Sequence, residues 1–175
     1  MPQETVPETA PIDGRPEPSG TTILRGTRPW ECACRCQSRY ESAMATEIPA
    51  SHQDLLQSEV ASLTTLGRDG SPQATIIWFL LDDGKLKFSL DSGRQKTRNI
   101  QRDPRVSLLI LDPQNSQRYL ELRGTVSLKP DPDYVFADKV GQKYGGADLR
   151  AYDEPGSLRY EVTLEPAKVF AIKIG

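Results

Sequence analysis

From residue 51 onward, apolar and polar positions fall into short regular runs. The stretch SHQDLLQSE reads as a short helix, with Ser51 as N-cap and Leu55 and Leu56 on its buried side. VASLTTL reads as a strand, and GRDGSP is turn chemistry in which Asp69-Gly70 marks a hairpin. QATIIWFLL, residues 73–81, is apolar on both faces, with Ala74, Ile76, Trp78 and Leu80 on one and Ile77, Phe79 and Leu81 on the other. Two apolar faces place such a strand at the centre of a sheet or at a subunit interface. After the turn DDGK, KLKFSLDS alternates, with Leu86, Phe88 and Leu90 inward and Lys85, Lys87, Ser89 and Asp91 outward.

GRQKTRNIQ reads as one short helix that DPR stops, because the residue before a proline disfavours the helical region. RVSLLIL is again apolar on both faces, and RYLELRGTVSLK sets Leu120, Leu122, Val126 and Leu128 against polar neighbours. DPDYVFADKVGQKYGG predicts a helix with Asp131 as N-cap and Pro132 in the first turn, ending at Gly145-Gly146. LRYEVTLEPAKVFAIKI closes the chain with one or two strands. At least six strands in short hairpin steps predict an all-β domain, an antiparallel β-barrel with helical additions.

Residues 1–43 break this pattern. They are rich in Pro, Glu and Thr and short of large apolar residues. We expect a disordered N-terminal extension, or an over-extended start with Met44 as the natural first residue, ahead of a folded domain at 44–175. Cys32, Cys34 and Cys36 crowd into that extension at alternate positions, so no disulfide framework and no metal site is expected. The 22 Lys and Arg against 24 Asp and Glu give a net charge of -2, which argues against a general nucleic-acid binder. No apolar run is long enough to span a bilayer, and the first residues lack the apolar stretch of a secretory signal, so a cytoplasmic protein without a membrane partner is expected.

Against that acidic balance, Arg94, Lys96, Arg98, Arg102 and Arg105 cluster just before RVSLLIL. A strand ending in Ser89 and Ser92, then Gly93, then Arg94-x-Lys96 at the start of a helix is the layout of a phosphate cradle. The helix end offers free N–H groups and a favourable dipole, the serines offer hydroxyls, and Arg94 and Lys96 offer charge. The alternative is a solvated helix face, with Arg98, Arg102 and Arg105 as surface or salt-bridge residues.

Four blocks then carry a resemblance: IPASHQDLL, GSPQATIIWF, SGRQKTRNIQRDPRVSLLILDP and RYLELRGTV. Over residues 47–172 the chain resembles the pyridoxamine-phosphate-oxidase-like split-barrel superfamily, and within it the deazaflavin (coenzyme F420)-dependent branch of actinobacteria. The resemblance implies a homodimer of six-stranded split barrels with two cofactor grooves along the interface. It implies a cofactor phosphate at Ser89, Ser92, Arg94 and Lys96, supported by Asn99, and a ring beside Gln73, Thr75, Ile76, Ile77 and Trp78. The implied activity is hydride transfer between reduced F420 and a small conjugated substrate of the enone, quinone or tetrapyrrole class.

The residue types agree with it. Ile77 and Trp78 would supply a flat apolar wall, and Gln73 and Thr75 polar atoms at its edge, although Trp78 also suits plain packing and Thr75 an ordinary strand position. No nucleophile or acid–base pair stands at telling spacing. His52, the only histidine, belongs to the helix entry, and nothing selects among Tyr119, Tyr144 and Tyr152 as a proton donor. Two alternatives keep the fold: an FMN-binding oxidase or electron carrier, and a non-catalytic cofactor or tetrapyrrole carrier. The phosphate is common to F420 and FMN. The acidic tail of F420 favours further cations at the groove mouth, for which Lys87, Arg98 and Arg102 are candidates.

Overall fold

The alternating runs become strands of one curled antiparallel sheet in the computed structural model, which describes residues 47–174. The expected N-terminal extension, Met44 and the three cysteines lie outside the described residues. The strands are β1 (Val60–Leu66), β2 (Pro72–Trp78), β3 (Leu80–Asp82), β4 (Lys85–Asp91), β5 (Arg105–Leu111), β6 (Arg118–Pro130) and β7 (Arg159–Lys173). Helix α1 (Gln95–Arg102) joins β4 to β5, and α2 (Val135–Lys143) follows β6. The strand order is β2-β1-β5-β6-β7-β4-β3.

The first and last strands of that order, β2 and β3, are separated in sequence by Phe79 alone. A sheet whose two edges are consecutive in the chain must curl back on itself, which is how this half-barrel closes. Residues 73–81 are therefore not one strand, and the sheet has seven strands, which meets the expected minimum of six. Phe79 is fully buried, and its backbone leaves the ladder. Its N–H donates to the Tyr144 hydroxyl at 3.0 Å, and its carbonyl accepts from Lys143 Nζ at 3.0 Å. Groups diverted from a sheet need such partners, and the end of α2 and the Tyr144 that follows it supply them. β2 is consequently an edge strand rather than a central one, and Ile76 on it is 64 % exposed.

The inward positions of the alternation meet inside the curl. Leu63, Phe88, Leu108, Leu120, Leu122 and Val162 are all fully buried, and Ile100 of α1 plugs the same core. The long β6–β7 pair bends at a register shift beside Gly124, where a Cβ would stand 2.1 Å from the Glu165 carbonyl oxygen, so only glycine fits. The Asp83–Gly84 turn has both residues at positive φ (51° and 71°), matching the right-handed twist of β3 and β4.

Three local expectations are corrected. Ser51 caps nothing: a 3-10 helix spans Ala50–Gln57 with Pro49 ahead of it, and Ser51 Oγ pairs with His52 Nδ1 at 2.9 Å. Leu55 and Leu56 are buried there as expected. The second helix starts at Val135, later than Asp131, after Tyr134 in the left-handed region. Asp131 still does the capping chemistry, because its carboxylate accepts the N–H groups of Phe136 and Ala137 at 3.3 and 2.9 Å. Asp91, expected outward by parity, is buried.

Candidate functional site

A cleft of about 590 Å³ opens where β2, β4, α1 and the segment after α2 converge. One end is apolar: Ile76, Ile77 and Trp78 of β2 face Val140 of α2 and Leu149. Trp78 is held flat by Tyr144, whose ring stacks on it at 4.4 Å with an interplanar angle of 7°, while Tyr152 meets it edge-on at 6.5 Å. Tyr144 is itself fixed by its hydroxyl, which accepts from Phe79 N and donates to the Glu59 and Phe79 carbonyls. Burial pushes that phenol above the usual tyrosine range.

The other end is polar and incompletely satisfied. Arg94 precedes the first turn of α1 and no side chain caps the helix, so the N–H groups of Gln95 and Lys96 have no acceptor among the described residues. Arg94 turns one arm of its guanidinium to the Tyr152 carbonyl at 2.9 Å and keeps the rest at the cleft. The half-buried Lys96 ammonium makes no hydrogen bond or ion pair with any described residue. Burial, and then the charge of Arg94, hold it below the usual lysine value. The buried hydroxyl oxygens of Thr75 and Ser89 and the Oδ2 oxygen of Asp91 also lack a partner among the described residues. Arg159 lines the cleft too, but its charge is closed on Asp153, which it binds through two nitrogens, and it donates to the Leu149 carbonyl at 3.0 Å.

Proteins leave few buried polar atoms unpaired. Here three orphaned side-chain oxygens and an unpaired ammonium border one cleft at the open N-terminus of α1, beside an apolar wall. A ligand with a flat ring and an anionic group would match the apolar wall, the two hydroxyls and the cations, while the Asp91 oxygen opposes negative charge.

The model of the family described as pyridoxamine 5'-phosphate oxidase matches residues 48–174. The chain belongs to the pyridoxamine 5'-phosphate oxidase family. Among solved structures, an F420 reductase is 33% identical, with a TM-score of 0.59 over 70% of this chain and 98% of that one. A conserved hypothetical protein from Mycobacterium tuberculosis is 23% identical, with a TM-score of 0.60 over 73% of this chain and 85% of that one. The haem storage protein of Vibrio cholerae is 14% identical, with a TM-score of 0.57 over 71% of this chain and 94% of that one. The last two likenesses show the fold alone.

In this member of the oxidase family, Thr75, Ile76, Ile77, Trp78, Ser89, Arg94 and Lys96 all line the cleft. Gln73, Ser92 and Asn99 do not. Asn99, buried on α1, donates to Gln73 Oε1 at 2.8 Å and Thr65 Oγ1 at 3.0 Å, and so ties α1 to β1 and β2. Ser92 exchanges hydrogen bonds with Leu158, accepting its N–H on Oγ at 2.9 Å and donating its own N–H to the Leu158 carbonyl at 2.8 Å. These three hold the frame on which the lining residues stand. His52 is buried away from the cleft, its Nε2 3.0 Å from the Ile172 carbonyl. Lys87 faces a different hollow, and Arg102 is bound to the Leu66 carbonyl at 2.7 Å.

Sequence reasoning missed Asp91, Leu149 and Arg159. The signal for Asp91 was present: an Asp two residues before Gly at a strand end makes an Asx turn, and its Oδ1 accepts the Gly93 N–H at 2.7 Å. No local signal marks Leu149 or Arg159, which reach the site through the pairing of β4 with β7 and the loop after α2.

Proposed function

We propose that this chain is an F420-dependent oxidoreductase of the deazaflavin branch. In this reading it works as a homodimer that exchanges a hydride between reduced F420 and a small conjugated substrate such as an enone, quinone or tetrapyrrole. The observation that carries the reading is the unpaired, half-buried Lys96 ammonium beside the open N-terminus of α1, across a cleft from the Trp78 wall. An ammonium removed from water without a counter-charge is costly, and a bound phosphate offsets that cost. The 33% identity to an F420 reductase favours the deazaflavin over FMN.

The residues fit that cofactor. Ile77, Trp78, Val140 and Leu149 would cover its ring, Thr75 and Ser89 would hydrogen-bond polar atoms along its length, and Arg94, Lys96 and the α1 N–H groups would hold its phosphate. When bound, the coenzyme supplies a hydride from a ring carbon. The chain's own part is orientation and exclusion of water. Trp78, locked by Tyr144, sets the plane of the wall. Tyr152, exposed at the cleft, is the hydroxyl best placed to serve a substrate, because the Tyr144 hydroxyl is committed to backbone groups. Tyr119 sits on β6 opposite Leu111 and Ile172 and does not line the cleft. Ile76, exposed on an edge strand that borders the cleft, is where a second copy of the chain would complete it.

A haem-carrying role gains less support, since among the described residues no His, Cys or Met lines the cleft and Tyr152 is the one residue there of a type that ligates haem iron. The deciding experiment is a fluorescence titration of the purified protein with F420 and, separately, with FMN. Tight F420 and weak FMN binding is the expected result, to be followed by turnover of enones and quinones with reduced F420. Tight FMN with no F420 binding would replace the reading with the flavin one.

A further inference from the structure

We propose that Asp91 selects the charge of the bound phosphate, favouring a singly charged phosphodiester over a doubly charged phosphomonoester. The proposal rests on the cofactor reading above and deepens it. Asp91 ends β4 and is only 4% exposed. It is built into the mouth of α1: Oδ1 accepts the Gly93 N–H, and its backbone carbonyl accepts from Arg94 N at 3.3 Å and from Thr97 Oγ1 at 2.6 Å. Its other carboxylate oxygen, Oδ2, has no hydrogen-bond partner among the described residues, although the residue lines the cleft.

The neighbouring charges do not cancel it by pairing. Arg159 stands directly opposite Asp91 in the β4–β7 register, yet its guanidinium goes to Asp153. Arg94 reaches the Tyr152 carbonyl, and Lys96 pairs with no described residue. The exposed Glu154 brings a further carboxylate oxygen to 3.9 Å from where a Cβ on Gly93 would stand. The inner set is then two cations, Arg94 and Lys96, against one buried carboxylate. Its surplus matches one negative charge. A second negative charge on the ligand is repelled by the Asp91 carboxylate, whose unpaired oxygen lies just beneath the surface of a partly desolvated site, where Coulomb terms are larger than in water.

This separates the two candidate cofactors at the phosphate itself, not only at the tail. FMN ends in a monoester that carries about 1.5 to 2 negative charges near neutral pH, with a second pKa of about 6. In F420 the phosphate continues into the acidic tail as a diester and carries one.

The test is Asp91→Asn, which keeps an acceptor for Gly93 and removes only the charge. Dissociation constants for F420, FMN and riboflavin are measured by fluorescence at pH 7.5. We expect FMN to gain about tenfold relative to F420, with riboflavin, which lacks the phosphate, unchanged. Equal shifts for FMN and F420, or a riboflavin shift as large as that of FMN, would overturn the proposal. Should the variant not fold, the wild-type protein gives the same answer. Its FMN affinity should rise from pH 7.5 to 5.5 as the monoester takes up its second proton, while riboflavin stays level, and a flat FMN profile counts against Asp91. If neither cofactor binds the wild-type protein, the cofactor reading fails separately. Asp91 is then judged by thermal shift with phenyl phosphate and methyl phenyl phosphate, where a larger shift with the diester supports the role and equal shifts refute it.

Discussion

Lys87 on β4 and Lys96 on α1 each line a hollow bordered by α2, and the two hollows treat their lysines differently. Lys87 Nζ lies 2.8 Å from Asp82 and 3.0 Å from Glu161, and those acids are shared with Lys139 at 3.3 Å and Lys129 at 3.4 Å. Hydrogen bonds donated to Asp82 and then to Glu161 hold the Lys87 ammonium above the usual lysine value. Lys96 has no such partner, and burial pushes it the other way. A closed network of this kind needs nothing more and reads as part of the fold. An open one is a standing demand for an external anion. The contrast is informative because both lysines look alike in sequence, each standing near acids and other bases.

The largest effect that would test the contrast is Lys87→Met. It leaves Asp82 and Glu161 without their shared partner, and we expect a stability loss of about 2 kcal/mol by chemical denaturation, less than for a fully buried pair because Lys129 and Lys139 remain. Cofactor affinity should not change. The same variant has a pH signature. Hydrogen bonding to Lys87 holds the Asp82 carboxyl below its usual range, so the network's contribution is present above about pH 4 and lost as pH falls further. The raised Lys87 value keeps it present until well above about pH 10. The stability gap between wild type and variant should therefore be constant through neutral pH, close in acid, and close again only in strong alkali.

Lys96→Ala should give the reverse result. Binding of the phosphate-bearing cofactor weakens by about 2 kcal/mol, the cost of a lost charged hydrogen bond. The melting temperature stays level or rises slightly, since an uncompensated buried charge has been removed. Loss of stability with unchanged binding would erase the distinction between the hollows. Tyr144→Phe sharpens the structural side of the cleft. It strips the hydroxyl from Phe79 N and the Glu59 carbonyl, and we expect it to cost about 1 kcal/mol of stability, while the retained ring still stacks on Trp78. The smallest effect is expected from Arg105→Ala. Arg105 is paired with Asp103 in solvent, and although that pair holds the Asp103 carboxyl down to about 2, exposed pairs are screened. Neither melting temperature nor affinity should move.

Within the basic cluster, then, the structure divides labour that the sequence presents as uniform. Arg94 and Lys96 face the cleft, Arg102 fastens α1 to the Leu66 carbonyl, Arg105 is answered by Asp103, and Arg98 is exposed. The strand-to-helix junction was readable because its ingredients are consecutive. The hydroxyls, the glycine and the helix start all lie within a few residues, and local spacing decides what they can do together. Ser92 and Asn99 show where that logic stops. Both belong to the junction, but their side chains were claimed by Leu158, Gln73 and Thr65, partners distant in the chain.

The sequence by itself determined the alternating strands, their inward faces, the turns at Asp69-Gly70 and Asp83-Gly84, and the concentration of positive charge ahead of β5. Each of these depends on side-chain periodicity or on the backbone freedom of one or two residues, which neighbours in the chain settle. Only the tertiary structure decided that the apolar run 73–81 breaks at Phe79 to close the sheet, and that β7 brings Arg159 opposite Asp91. It alone decided which lysine is answered and which is left open. Pairing requires two side chains to reach one point in space, and that point is set by the register of strands far apart in the chain.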